Sequence, residues 1–233
     1  MADKQTIVFV PGLLCTATLW AAQIDALRGE ADIVVADITG HDSLAALAAD
    51  VLAAAPERFA LAGLSMGGYV ALEVMRQAPE RVSHLALLDT NARADDTAAT
   101  QRRRAAMDKA RGGDFDGVLA DLVPLLFHPD AVAEGTLVAA FNDMGRTVGP
   151  DAFRRQMTAI MGRPDSRPDL AAVAVSTLVL CGRQDALSPP DWHREMADAI
   201  DGAELVVLDD CGHMAPMEKP EETTAALRRW LAA

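Results

Sequence analysis

The chain has 233 residues, of which 51% are apolar, 24% charged and only 4% aromatic, so its core should be aliphatic. This length favours a single α/β domain, and the composition excludes a disordered chain, a collagen-like chain and a disulfide scaffold. The formal net charge of −13 argues against non-specific binding to nucleic acid and against docking on anionic membranes. Three cysteines without CxxC spacing favour a reducing compartment.

The N-terminal segment has only a superficial likeness to a signal peptide. Lys4 precedes an apolar stretch over residues 7–15, but Asp3 lies in the would-be basic region and Pro11-Gly12 interrupts the stretch. No apolar run approaches the ~18 residues that a membrane-spanning helix needs. We therefore expect a cytoplasmic protein without a membrane span.

Short apolar runs alternate with helical patterns along the chain. The runs that we interpret as strands are residues 6–10, 33–36, 59–62, 82–88, 177–181 and 205–208. Between them, Ser43 begins an amphipathic helix, a second helix covers 70–78 before Pro79, and two more cover 190–200 and 220–231. Strands that alternate with helices predict crossover connections and a parallel sheet.

This alternation stops between residues 93 and 167. That stretch has no clear strand and carries four helical patterns, over residues 98–111, 115–126, 131–144 and 151–161. We interpret 93–167 as a helical insertion between the fourth and fifth strands, and 1–92 with 168–233 as the α/β core.

The stretch Gly63-Leu64-Ser65-Met66-Gly67 follows an apolar strand and opens a helix, which is the context of a Gly-x-Ser-x-Gly nucleophile elbow. A sharp turn that exposes the serine needs small residues two positions before and two after it. The helix that follows points its N–H groups at the reacting oxygen, so Met66 would offer one N–H to an oxyanion. The alternative is an ordinary glycine-rich turn with a solvated serine.

A serine hydroxyl is a weak nucleophile unless an oriented base takes its proton. Of five histidines, only His213 and His41 follow strands at the carboxyl end of the predicted sheet, and His41 is more typical of a turn. The base needs a carboxylate to fix its tautomer. Asp185, after the fifth strand, is favoured over Asp89, which ends the fourth. The N–H of Leu13, after Gly12, is the expected second oxyanion donor if the sheet order reverses between the first and third strands.

Together these motifs resemble the α/β-hydrolase superfamily over nearly the whole chain. They are IVFVPGLLC, DITGHD, GLSMGGYVALE, LVLCGRQDALSPP and CGHMAPMEKPEE, in the order and spacing typical of that superfamily. Within that superfamily the chain resembles the compact bacterial esterases and lactonases with a helical lid, such as pimeloyl-carrier-protein methyl esterase and 3-oxoadipate enol-lactonase.

The resemblance implies a role for each of five positions. Ser65 is the nucleophile, His213 the base and Asp185 its orienting acid, and the N–H groups of Leu13 and Met66 form the oxyanion hole. It further implies a small ester, lactone or thioester substrate, an insertion that acts as a lid, and no cofactor or metal.

The chain departs from the family at its start. Pro11 precedes Gly12 where relatives often have histidine, which bears on the oxyanion loop. Because five residues precede Thr6, we predict that an antiparallel hairpin common in relatives is missing and that the sheet has six parallel strands. A serine at position 65 counts against dehalogenases and epoxide hydrolases, which have aspartate there.

Substrate contacts are less well specified. The candidates are Leu14, Phe127, Met144, Met161 and Arg163. For each of the four apolar residues, ordinary packing in the core of the helical insertion is the favoured interpretation. For the arginine, pairing with Asp165, Asp169 or nearby carbonyls is favoured over a substrate carboxylate.

A basic stretch stands out in this acidic chain and consists of Arg102, Arg103, Arg104, Lys109 and Arg111. A solvated helix face is the favoured interpretation, and a dock for an acidic carrier protein is the alternative. For the chain as a whole, a C–C bond hydrolase, a non-catalytic ligand receptor and a perhydrolase or lyase remain open beside the serine esterase.

Overall fold

The computed structural model of the protein describes residues 4–233. Its six strands are β1 (Thr6–Val10), β2 (Asp32–Val35), β3 (Phe59–Leu64), β4 (Val82–Leu88), β5 (Ser176–Gly182) and β6 (Glu204–Leu208). They form one sheet in the order β2-β1-β3-β4-β5-β6, with every pair parallel. The prediction of six parallel strands is confirmed, and each strand begins and ends within two residues of its predicted bounds.

The central strands are buried on both faces, which explains their continuous apolar runs. Every residue of β3 is buried, whereas the edge strands β2 and β6 are only partly covered. A parallel sheet requires crossover helices on both faces, so its inner strands carry no polar alternation.

Ten α-helices accompany the sheet in residues 4–233. They are α1 (Ala21–Leu27), α2 (Leu44–Ala54), α3 (Met66–Gln77), α4 (Thr97–Arg111), α5 (Phe115–Leu126), α6 (Pro129–Glu134), α7 (Thr136–Met161), α8 (Pro190–Ala199), α9 (Ala215–Glu218) and α10 (Pro220–Leu231). Helices α2, α3 and α8 bury their apolar sides in one cluster with one face of the sheet, and α1 and α10 do so on the other face. Ser43 caps α2 as predicted, because its hydroxyl accepts from the Ala46 N–H.

Helices α4–α7, which we call the inserted helices, lie between β4 and β5 in the chain. The predicted single helix over 131–144 is wrong. Gly135 has φ 86°, a left-handed conformation that ends α6, and α7 starts directly after it. Helix α7 then continues past 144 to Met161, with a kink where Gly149 has φ 78° before Pro150.

The inserted helices pack on the same apolar cluster as α1 and α10. Leu119, Phe141, Phe153 and Met157 from these helices are buried in it together with Leu14 of the loop after β1. Within residues 4–233, no helix combines the length and apolar character needed to cross a membrane.

Candidate active site

Ser65 lies at the sharp turn between β3 and α3. Its backbone has φ 54° and ψ −115°, a conformation that non-glycine residues rarely adopt. Hydrogen bonds hold it there: the Ser65 N–H donates to the Leu88 carbonyl at 2.9 Å, and the Thr90 hydroxyl donates to the Ser65 carbonyl at 2.8 Å. Such a conformation persists only where its surroundings fix it, and it turns the side chain outward from the strand.

The glycines around Ser65 have no room for side chains. A Cβ on Gly63 would overlap the Gly67 carbonyl oxygen, and a Cβ on Gly67 would overlap the Val10 carbonyl oxygen. A Cβ on Gly68 would overlap the Thr90 hydroxyl that holds the Ser65 carbonyl. The predicted need for small residues on both sides of Ser65 is confirmed, and Gly68 adds a third such position.

Three side chains from separate loops form a hydrogen-bonded chain. His213 Nε2 is 2.8 Å from Ser65 Oγ, and His213 Nδ1 is 2.8 Å from Asp185 Oδ2. His213 and Asp185 are both buried. The other Asp185 oxygen accepts the N–H groups of Leu187 at 2.8 Å and Ser188 at 2.9 Å, so the carboxylate is fixed in place. This is the geometry of a serine, base and orienting acid.

The charges of His213 and Asp185 stabilise one another. Burial by itself would lower the pKa of His213, but the adjacent Asp185 carboxylate raises it above the usual value. Burial would likewise raise the pKa of Asp185, yet the His213 charge and the hydrogen bonds from His213 and Ser188 lower it. The pair therefore favours an imidazolium beside a carboxylate, the state that forms when the base takes a proton.

Leu13 and Met66 lie on the two loops that meet beside Ser65. In the observed order, β1 lies between β2 and β3. The order in which successive strands are added therefore reverses between β1 and β3, as expected from the sequence. A Cβ on Gly12 would be 3.5 Å from Ser65 Cβ, which shows how closely the first loop approaches. Among residues 4–233, neither the Leu13 nor the Met66 N–H has a protein acceptor.

The loop after β1 is tied to α7 by a residue that the sequence analysis missed. Gln156, fully buried, accepts the Leu14 N–H at 3.2 Å and donates to the Ile38 carbonyl at 3.3 Å. Leu14 has φ 61°, so this contact steadies a second unusual backbone beside the oxyanion-donor candidate Leu13. The signal in the sequence that could have identified this residue is a glutamine within the apolar pattern of a predicted helix.

The predicted substrate contacts separate into two groups. Leu14, Phe127 and Met144 are buried together in one apolar cluster. Met161 is half-buried at the end of α7, and in the described part of the chain it belongs to neither apolar cluster. The structure therefore does not bring Met161 to the others.

The Arg163 guanidinium already has partners within the protein. Its guanidinium pairs with Asp95 at 2.6 Å, donates to the Arg93 carbonyl at 2.7 Å and stacks over the Tyr69 ring at 4.3 Å. The predicted pairing with carbonyls is therefore observed, but the aspartate partner is Asp95 and neither Asp165 nor Asp169, and a substrate-carboxylate role is not supported.

Most cations of the basic stretch are also paired. Arg103 binds Asp95 at 2.7 Å, and Lys109 and Arg111 bind aspartates of the inserted helices. Arg102 and Arg104 are exposed and make no ion pair within residues 4–233. The stretch is thus largely a neutralised helix face.

The three cysteines are buried free thiols. Burial raises the pKa of Cys15 to about 12, and it also raises those of Cys181 and Cys211. Across residues 4–233, no group of three histidine, cysteine, aspartate or glutamate residues is arranged to hold a metal ion.

Asp89, the alternative acid, is fully buried at the end of β4, with φ 44°. Its two oxygens accept the N–H groups of Gly182 and Ala215, each at 3.0 Å. Asp89 therefore links the end of β5 with the start of α9, while Asp185 makes the contact to His213. Burial, reinforced by the Asp185 charge, raises the pKa of Asp89 to about 8.

This raised pKa predicts a pH-dependent stability. Between the unfolded-state value of about 4 and about 8, folded Asp89 keeps a proton that the unfolded chain has released. Stability should therefore fall as pH rises through this window. Relative to Asp89→Asn, the free energy of unfolding should drop by at most about 1.4 kcal/mol per pH unit, measured by urea denaturation. A difference that stays constant from pH 4 to 8 would contradict this.

A model of the alpha/beta hydrolase family matches residues 7–227. The pimeloyl-(acyl-carrier protein) methyl ester esterase of Neisseria meningitidis serogroup B is 32% identical over 192 residues, covering 79% of this chain and 73% of that protein.

Solved structures agree with the family match. A thermophilic esterase from Thermogutta terrifontis superposes with a TM-score of 0.91 at 30% identity, covering 99% of this chain and 90% of that one. The enol-lactonase from Burkholderia xenovorans superposes with a TM-score of 0.91 at 26% identity, covering 100% of this chain and 93% of that one. Together with the six-stranded parallel sheet, these matches show that the chain belongs to the alpha/beta hydrolase family.

Proposed function

We propose that the protein is a serine hydrolase that cleaves a small carboxylic ester, lactone or thioester through an acyl-enzyme on Ser65. The observation that carries this proposal is the unbroken chain of 2.8 Å contacts from Ser65 Oγ through His213 to Asp185. The names of the relatives, an esterase of an acyl-carrier-protein ester and an enol-lactonase, support the same substrate class.

The reaction has two halves. His213 Nε2 takes the hydroxyl proton as Ser65 Oγ attacks the carbonyl carbon, and it then gives that proton to the leaving oxygen or sulfur. A water molecule next donates its proton to His213 and attacks the acyl-enzyme, which releases the acid and restores Ser65. Asp185 holds the imidazole with Nδ1 protonated and stabilises its charged form in both halves.

The oxyanion of each tetrahedral intermediate would lie against the free N–H groups of Leu13 and Met66. Met66 is the first residue of α3, so its N–H has no partner inside the helix. Preorganised donors of this kind lower the barrier by about 3 kcal/mol each.

We further propose that residues 93–167 form a lid and that the apolar cluster beneath it receives the acyl group. Leu14, Phe127 and Met144, all buried there, are the lining candidates. Arg102 and Arg104, which are exposed and make no ion pair with the residues that the structure describes, are the cations of the basic stretch that an acidic carrier protein would meet. Three free thiols support a cytoplasmic location.

The test combines covalent labelling with a substrate series. A fluorophosphonate should modify the folded protein at Ser65, located by peptide mass spectrometry, and p-nitrophenyl esters of increasing acyl length should be hydrolysed with a defined optimum. Labelling without turnover of any ester, lactone or thioester would favour a ligand receptor instead. Absence of labelling in the folded protein would overturn the proposed nucleophile.

A further inference from the structure

Glu218, the last residue of α9, binds both sides of the loop that carries His213. Its Oε1 accepts the Gly212 N–H at 3.0 Å and the Met214 N–H at 3.2 Å. The two residues that flank His213 are therefore held by one carboxylate oxygen. The contact from Met214 lies within the single turn that α9 and its N-cap residue form, whereas the contact from Gly212 reaches beyond that turn.

The other oxygen of Glu218 reaches the inserted helices. Glu218 Oε2 accepts the His128 N–H at 2.7 Å, across 90 positions of the chain. We call the Glu218 carboxylate, with the N–H groups of Gly212, Met214 and His128, the Glu218 clasp. It joins the His213 loop to the connection between α5 and α6.

The two segments also touch directly. The His213 N–H donates to the Leu126 carbonyl at 2.7 Å. A Cβ on Gly212 would lie 2.8 Å from both the Leu126 carbonyl oxygen and the His128 nitrogen, so only glycine allows this approach. The backbone of His213 therefore rests on the α5–α6 connection, and the position of its ring depends on that contact.

We propose that Glu218 is a positioning residue, which holds His213 in line with Ser65 by fastening the His213 loop to the α5–α6 connection. This inference rests on the proposed function for its effect on rate, and on the contacts alone for its effect on His213 itself. It gives the inserted helices a part in aligning the base, in addition to covering the acyl group.

The charge of Glu218 also faces His213. Against the effect of burial, the carboxylates of Asp185 and Glu218 raise the pKa of His213, and Asp89 adds to this only at the pH where it is itself ionised. The buried His193 is also close enough for the His213 charge to lower its pKa. Glu218 is only partly buried; burial raises its own pKa and the three N–H donors oppose that effect. Loss of the Glu218 charge should therefore let His213 titrate at lower pH.

The first variant is Glu218→Gln, which keeps the shape of the side chain. Its amide has one acceptor oxygen, whereas the carboxylate uses one oxygen for the Gly212 and Met214 N–H groups and the other for that of His128. We expect His213 to titrate at lower pH by NMR of the labelled imidazole. We also expect kcat to fall by about 10–100-fold with KM nearly unchanged, as for a slightly misplaced catalytic group. Glu222→Gln, on the exposed side of the first turn of α10, is the matched control.

A second pair of variants tests the Glu218 clasp at His128, where one variant breaks the contact and the other keeps it. His128 has φ −57° and ψ 144°, and the preceding Phe127 is extended, so proline fits this backbone. His128→Pro removes the N–H and places a methylene where the carboxylate lies, whereas His128→Ala keeps the N–H. We expect His128→Pro to lose far more kcat than His128→Ala, and to be non-additive with Glu218→Gln.

The outcomes separate the two proposals. Unchanged His213 titration and wild-type kcat in folded Glu218→Gln and His128→Pro would overturn the clasp. A wild-type protein that neither labels nor hydrolyses any ester would overturn the proposed function, and the His213 titration would still decide the clasp. A loss of thermal stability in Glu218→Gln with no change in the titration would also reject the positioning role.

Discussion

Replacing Ser65 by alanine should lower kcat by about 10⁵–10⁶-fold, the largest effect of any single change in this protein. The substitution removes the oxygen that lies 2.8 Å from His213 Nε2, so the proposed acyl-enzyme cannot form. Nucleophile, base and acid act as a unit, and what remains is the modest catalysis of the oxyanion donors and binding alone. The measurement is hydrolysis of the best p-nitrophenyl ester, with fluorophosphonate labelling of the same preparations.

A serine outside the site provides the control. Ser43 caps α2 through its hydroxyl, so Ser43→Ala should cost about 1 kcal/mol of stability and leave kcat unchanged. Retention of more than a hundredth of wild-type kcat by Ser65→Ala, after contaminating wild type is excluded, would rule out the proposed mechanism.

Replacing Asp185 by asparagine should lower kcat by about 10³–10⁴-fold. The amide keeps the volume of the side chain but cannot both accept from His213 Nδ1 and supply the charge that favours the imidazolium. The pH dependence should change as well. In wild type, kcat/KM should rise with pH as His213 loses its proton, at a pKa that Asp185 holds above the usual value. Without that charge the inflection should move to lower pH.

Asp89→Asn is the comparison that decides between the two carboxylates. Asp89 accepts from the backbone of Gly182 and Ala215 and not from His213, so its replacement should reduce kcat by less than about 10-fold. A larger loss of kcat in Asp89→Asn than in Asp185→Asn would assign the orienting role to Asp89.

The strands and the sharp turn at Ser65 were predictable because their signals are local. β3 is a run of buried residues, and Ser65 follows it between two glycines whose positions exclude side chains. The placement of His213 and Asp185 after strands follows from the rule that sites form at the carboxyl ends of a parallel sheet. In each case a few adjacent residues carry the information.

The contacts made by Gln156 and Glu218 could not be predicted in the same way. Gln156 meets Leu14 across 142 positions, and Glu218 meets His128 across 90. A single polar residue on a helix identifies neither its partner nor that partner's element. The boundary between α6 and α7 at Gly135 was not predicted either. The apolar periodicity of 131–144 continues through this glycine, whose left-handed backbone separates the two helices.

The buried thiols make this protein a convenient subject for spectroscopy in its native form. Maleimides react with exposed thiolates, and Cys15, Cys181 and Cys211 are buried with raised pKa values. A cysteine introduced on the surface would therefore be the one labelled, with all three native cysteines left in place. Dyes at Val132→Cys on α6 and Glu57→Cys on the core, both exposed positions, would report the distance between the inserted helices and the sheet during turnover.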